Sequence, residues 1–405
     1  MTSIKRDTLS RRQILPLLGG AAAIAAGVRH PAAAELFGSA RPGAKARFVY
    51  VGTYTFPGTA PGGTHQSQAQ GIYVFRMNPN DGGLTPIQTI KVPNPSYLAL
   101  DQTLSRLYSV NEMTDGAVSS FVINPANGML TFINMKATNG QDTTHLSVDS
   151  SGQYLLAASY TSGNFQVFQI ASDGSIGNMT DNFQSIGNGT GPNPDRQEGP
   201  HAHQILNDFA GHHVFGVDLG ADKVNVWNLD PSGKLVPNTV PFAPTASGSG
   251  PRHMAFHSDG KHAYVLSELA SSVTVFDYDP VRAAFIWKQT ISTLPPNFNG
   301  TNTTAEIRIH PNGRFLYNTN RGHNSVTMFE IGPKTGELEV IGWESTRGQW
   351  PRGMNIDPSG TFLYAANQNT DNIGVFLIEQ GSGRLRFSTL VNTPTPVDVE
   401  FGAVV

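Results

Sequence analysis

The chain has 405 residues, with 43 glycines and 27 prolines, only 14% charged residues and no cysteine. That length allows a large core, and so many turn-formers cut it into the short segments of an all-β fold. A formal charge of −3 with no cluster of lysine or arginine excludes a phosphate-neutralising nucleic-acid surface, and without cysteine no disulfide staples the fold.

At the N-terminus, Arg11 and Arg12 precede a short apolar run and an Ala32-x-Ala34 step suited to signal peptidase. This pattern resembles a twin-arginine export leader over residues 1–34, followed by a linker over 35–45. It implies the twin-arginine export machinery as a partner and a periplasmic or secreted mature chain. The apolar run is too short and glycine-rich for stable membrane insertion. Folding before export also suits a chain that never relies on periplasmic disulfides.

From residue 46 to 405 one unit recurs: apolar strand, Pro/Asp/Gly turn, strand, polar loop, strand. It is plainest in FHSDGKHAYVLSELASSVTVFDYD, IHPNGRFLYNTNRGHNSVTMFEIG and IDPSGTFLYAANQNTDNIGVFLIE. With the turn glycine as anchor, Gly152, Gly211, Gly260, Gly313 and Gly360 mark five copies, and Ala46 and Leu104 stand at the same place in two weaker ones. A repeat of about 50 residues holding four short alternating strands predicts propeller blades. Seven anchors predict a seven-bladed β-propeller of four-stranded blades. The first copy has no inner strand before it, whereas the C-terminal TPTPVDVEFG matches inner-strand segments such as WPRGMNIDPS. The C-terminal strand is therefore expected to join the N-terminal blade and close the ring, which leaves no open edge.

In such a unit, the start of the inner strand and the loop after the second strand share one face of the disc. The inner-strand starts carry Thr144-His145, His201-Ala202-His203, Arg252-His253, Ala305-Glu306 and Arg352-Gly353. The loops after the second strand carry Asn111-Glu112, Asp218 with Asp222, Glu268, Asn320-Arg321 and Asn367-Gln368. Both sets converge on one channel mouth. The other face has turn segments such as DPSGK and GPKTGE, whose residues backbone geometry alone explains. Residues 187–203 form a long Gly/Pro/Asn loop whose Arg196 and Glu198 suggest a lid over the mouth.

Arg252, Arg321 and Arg352 around one cavity suit an anionic or oxygen-rich small ligand, because a guanidinium presents a planar fork of donors. Glu268, His201 and His203 are candidates to move a proton, and an arginine can stabilise the oxyanion formed when water attacks an ester carbonyl. His145, Arg196, Asp218 and Glu306 are candidates to line the substrate site. The bland reading is that paired Arg and Glu tie blades together. His201-x-His203 has a spacing that can hold zinc or copper, and Asp218 with Asp222 one that can hold calcium, but neither reaches the ligand density of a dedicated site. No metal and no cofactor is expected. GxSxG, P-loop and GxGxxG patterns are absent from the sequence.

YVGTYT, EGPHAHQ, GVDLGADKV, GSGPRHMAFHSDGKHAYVLSE, AEIRIHPNGRFLYNTNRGHNSV and WPRGMNIDPSGTFLYAANQNTDN together resemble the seven-bladed lactonase family, over about residues 46–402. That family includes propeller-type 6-phosphogluconolactonases and fungal carboxy-muconate cyclases. The resemblance implies metal-independent opening of a small sugar-type or carboxylated lactone. It implies catalytic roles for His203 or His201, Arg252, Glu268 and Arg321, with Glu268 or a histidine activating water. An export leader departs from a cytoplasmic phosphogluconolactonase and puts a phosphorylated substrate in question. Two alternatives stay open: a muconate-type cyclase running the same proton chemistry in reverse, and a non-catalytic binding propeller.

Overall fold

The computed structural model describes residues 45–56, 61–187 and 193–405; the expected leader, 1–34, and the linker up to residue 44 lie outside them. Among the described residues, seven four-stranded antiparallel sheets follow one another along the chain. Blade 1 joins 47–91 to the C-terminal strand. Blades 2 to 7 comprise 98–137, 143–184, 202–244, 251–292, 303–345 and 351–392. The expected closure is present: Pro396–Val404 pairs antiparallel with Arg47–Thr53, with Tyr50 opposite Glu400 and Gly52 opposite Asp398. No described helix is long and apolar enough to cross a membrane.

The sequence pattern predicts alternating strands, and the structure departs from this in the second strand of each blade. Arg47–Thr53, Tyr154–Ser159, His262–Ser267, Phe315–Arg321 and Phe362–Asn367 are buried at every position. Each blade is covered on both faces by its neighbours, so both sides of these strands meet apolar surface. Seven hydrophobic clusters result, one in each blade-to-blade interface. The outermost strands, such as Leu235–Pro244, are largely exposed to solvent. At roughly 25 cal/mol per Å² of buried apolar surface, these interfaces rather than a single central core hold the ring.

A polar device repeats within the interfaces. Tyr50, Tyr108, Tyr264, Tyr317 and Tyr364, at one position of the second strand, donate their hydroxyls to the carbonyls of Gly128, Gly174, Gly336, Gly383 and Gly82 at 2.6–3.2 Å. Each acceptor glycine has positive φ and lies in the outer hairpin of the neighbouring blade. A Cβ on any of them would run into a side chain of the tyrosine's own blade. At this position blade 3 has Leu156 and blade 4 has Phe215, which carry no hydroxyl.

The five turn glycines used as anchors lie at φ of +69° to +73°, and Leu104 takes the same left-handed conformation at +56°. Leucine there keeps a Cβ clash that glycine lacks. Leu104→Gly is therefore expected to raise the unfolding free energy by about 1 kcal/mol, read from urea denaturation. A loss of stability would mean that packing of the half-buried leucine outweighs the backbone strain.

Candidate active site

In blades 3 to 7 the inner strand approaches the mouth with one residue too many. In blade 5, Pro251 pairs with Ser267 and His253 with Leu266, which leaves Arg252 unpaired. The same bulge falls on Thr144 in blade 3, His203 in blade 4 and Arg352 in blade 7, and on Ala305 with Glu306 in blade 6. A bulge bends the strand and re-aims the extra side chain. In five blades the residue that ends the second strand, or directly follows it, supplies a matching set: Tyr54, Glu112, Tyr160, Glu268 and Arg321.

The bulge residues Thr144, His203, Arg252 and Arg352 line a cavity of about 380 Å³ together with Glu112, Tyr160, Glu268 and Arg321. Arg196 from the 193–201 segment, Asp142, and Pro61, Gly62 and Trp350 complete much of its rim. The volume suits a small molecule. Beneath it the channel tightens to a space of about 10 Å³ beside Tyr97, His253, Glu306 and Val397, enough for about one water. The mouth is thus a blind pit.

Glu268 is its electrostatic centre. Its carboxylate accepts from Arg196 at 2.7 Å, Arg321 at 2.8 Å and Arg252 at 3.1 Å. Burial alone would raise its pKa. The guanidinium groups of Arg321, Arg252 and Arg196 outweigh burial and hold it far below the usual carboxylate range. Arg252 also donates Nε to the Ala305 carbonyl at 2.9 Å, which ties blade 5 to blade 6, and Arg321 donates Nη2 to the Thr304 carbonyl of its own blade at 2.7 Å. Burial draws Arg321 down to about 9, which leaves it charged at neutral pH.

His203 hydrogen-bonds through Nε2 to Nη1 of Arg252. A guanidinium only donates, so Nε2 accepts and the proton sits on Nδ1. Burial, and then the positive charge of Arg252, push this imidazole well below its ordinary pKa, so it is neutral. Arg352 differs from the other arginines. Its nearest carboxylate, Glu112, is 3.7 Å away, and its guanidinium lies over the Tyr54 ring at 5.1 Å.

Among the residues singled out from sequence, His203, Arg252, Glu268, Arg321, Arg352 and Arg196 come together at the cavity. His201 is not among its lining residues. It stacks on the Tyr160 ring at 4.5 Å and faces Glu198 at 3.0 Å. Asp218 is fully buried in a loop network, accepting from Ser185 and from the amides of His201 and Ala221. Asp222 accepts the amides of Gly248 and Gly250, so both aspartates organise loops. His145 and Glu306 belong to the layer below. There Glu306 meets His253 at 3.1 Å and Arg308 at 3.2 Å, and His145 lies 4.2 Å from the Tyr97 ring.

Tyr54, Tyr160, Trp350 and the chemistry of Glu112 escaped the sequence argument, which followed charged residues at strand starts. Counting from each turn anchor would have found the first three of the second-strand set. One trio among the described residues, His257, Asp259 and His262, brings possible ligand atoms within 4.8 Å at the blade 5 turn on the opposite face. His257 there caps the turn through Nδ1 and donates Nε2 to Gly313, as His310 does with Gly360, so its place follows from turn geometry.

The family profile "Lactonase, 7-bladed beta-propeller" matches residues 48–401. A 6-phosphogluconolactonase of Bacillus subtilis (strain 168) is 36% identical over 355 residues, 87% of this chain and 97% of that protein. One from Serratia proteamaculans (strain 568) is 35% identical over 328 residues, 81% and 93% of the two chains. The solved structure of the Pseudomonas aeruginosa periplasmic gluconolactonase superposes with a TM-score of 0.83 at 31% identity, covering 89% of this chain and all of that one.

Two measurements check the electrostatics. Glu268→Gln leaves three guanidinium groups without their counter-charge and is expected to lower the unfolding free energy by roughly 3–5 kcal/mol. Because the Glu268 pKa is depressed on folding, its contribution is present above the unfolded value of about 4.3 and is lost as pH falls below it. The acid limb of a stability-against-pH curve should therefore be shallower in the variant. Glu400, in the closing strand, has the opposite sign: burial raises its pKa, with Glu306 adding to it against Arg308. Its stabilising contribution is complete below about 4.3 and is lost as pH rises toward neutrality. The gap in unfolding free energy between wild type and Glu400→Gln should move in the variant's favour over that interval, and a constant gap would contradict it.

Proposed function

The chain belongs to the lactonase family of seven-bladed β-propellers, and we propose that it hydrolyses a small sugar-type or carboxylated lactone in the pit at the channel mouth. The observation that carries this reading is the charge balance of the lining. Arg196, Arg252, Arg321 and Arg352 face Glu112, Asp142 and Glu268, which leaves one positive charge in excess with His203 neutral. Three of the arginines converge on Glu268, and Arg352 is held by no short carboxylate contact. Arg352 is therefore the group to receive an anionic or hydroxyl-rich substituent of the substrate.

In this reading Arg252 and Arg321 keep N–H donors free beside their bonds to Glu268 and stabilise the oxyanion that forms as water adds to the lactone carbonyl. Glu268 and His203 fix those guanidinium groups in place. The ring C–O bond then breaks, the ring oxygen takes a proton and the acyl carbon leaves as a carboxylate, releasing one proton to solvent at neutral pH. So acidic a carboxylate as Glu268 is a poor proton acceptor, which favours a holding role for it over a basic one.

The relatives named 6-phosphogluconolactonase and the periplasmic gluconolactonase support the lactone class. The twin-arginine pattern supports a reaction outside the cytoplasm and, with it, a lactone without phosphate. A pH-stat panel of glucono-1,5-lactone, 6-phosphogluconolactone and a carboxylated muconolactone tests this. Acid release well above the spontaneous rate is expected on at least one, and none on any would refute it. Arg352→Ala should raise KM about 10–100-fold, as losing a charge-assisted hydrogen bond of about 1.5–3 kcal/mol would, with a smaller change in kcat.

A further inference from the structure

We propose that Glu112 is the group that takes the proton from the attacking water; this rests on the lactone-hydrolysis reading above. Blade 2 and blade 5 carry a pair of residues at equivalent positions beside the channel. Ser96 and Glu112 are separated by 16 positions across the blade 2 turn, and Arg252 and Glu268 by 16 positions across the blade 5 turn. Each glutamate directly follows its second strand. Each also accepts a hydrogen bond from that partner, a serine hydroxyl just before the inner strand in blade 2 and a guanidinium within the inner strand in blade 5. The two carboxylates are copies of one position with different neighbours.

The difference in neighbours decides the chemistry. Glu268 has three guanidinium groups within 3.1 Å. Glu112 has the hydroxyls of Ser96 and Tyr54, the latter 2.7 Å from both of its oxygens, and one guanidinium at 3.7 Å. At Glu268 the carboxylate serves to hold three guanidinium groups, whereas at Glu112 the close donors are neutral hydroxyls, which orient the carboxylate without engaging it in an ion pair. Paired carboxylates with diverging surroundings mark separate roles.

Position agrees. Glu112 is 4% exposed, yet it lines the pit beside Arg352 and also the narrow space below, next to Arg252. The other proton acceptors of the lining are committed or peripheral. Nε2 of His203 accepts from Arg252, and Asp142 is half-buried and accepts from the Thr161 hydroxyl. As the bond from water oxygen to the acyl carbon forms, Glu112 takes the water proton. As the ring C–O bond breaks, Glu112 returns that proton to the ring oxygen. Ser96 and Tyr54 hold the carboxylate in place through both steps, and Tyr54 stays protonated because burial raises its pKa well above its ordinary value.

The test compares wild type with Glu112→Gln on whichever lactone the wild type turns over. Removing a general base is expected to lower kcat by at least about 100-fold, with KM and the affinity for the product acid within about threefold of wild type. The acid limb of kcat/KM should disappear from the residual activity. The groups facing Glu112 are Tyr54, Ser96 and Arg352 in direct contact, with Arg252, His253 and Glu306 around the space below. A Glu112→Gln enzyme that melts with wild type and keeps more than about a third of its kcat would overturn the proposal, and so would loss of activity in Asp142→Asn alone. If Glu112→Gln does not fold, Glu112→Asp decides. It retains a carboxylate set back by one methylene, so a fall in kcat with an acid limb still present supports the role and an unchanged kcat overturns it. Failure of the wild type to open any lactone would instead defeat the lactonase reading itself.

Discussion

The extra residue in the inner strand is the constraint from which the chemistry of this molecule follows. A regular antiparallel strand would turn alternate side chains into the apolar interfaces on either side of the blade. With the bulge, Thr144, His203, Arg252 and Arg352 leave that alternation and face the axis. The residues before and after them stay in register with the second strand. Polar groups are thereby gathered at one end of the channel without weakening the interfaces that hold the ring.

Gathering four guanidinium groups in a largely buried pit is unfavourable unless each finds a partner. Glu268 supplies the partner for three, and backbone carbonyls of blade 6 take further N–H groups of Arg252 and Arg321. The cluster is therefore rigid and preorganised, with one cation, Arg352, left over for a ligand. The layer beneath is built differently. Glu306 pairs with His253 and Arg308, Arg308 also donates to Tyr97, and Asp398 and Glu400 of the closing strand sit close enough to Glu306 for burial and repulsion between carboxylates to raise both pKa values. The acid balance of the channel is thus coupled to the strand that shuts the ring.

The ring itself depends on contacts between blades more than within them. The tyrosine hydroxyls that reach the hairpin glycines of the neighbouring blade are buried hydrogen bonds repeated around most of the disc, each in a separate apolar cluster. Because every interface holds an apolar cluster, a weak copy such as blade 2, with Leu104 in the turn and an inner strand of only Leu98–Leu100, is carried by its neighbours.

The sequence by itself determined the architecture. Turn glycines at near-regular intervals fix where hairpins form, the apolar segments between them fix the strands, and a C-terminal segment resembling an inner strand fixes the closure. It also determined which arginines and acids stand at strand ends, because that depends only on distance along the chain from a turn. Only the tertiary structure decided which of them meet. His201 and His203 are two residues apart, yet His203 holds Arg252 and His201 stacks on Tyr160, and Asp218 stands at a strand end like Glu268 yet serves a loop. Local pattern records spacing, whereas a side chain's partner depends on which blade stands across the channel and on a one-residue bulge, and both are set by packing between segments far apart in the chain.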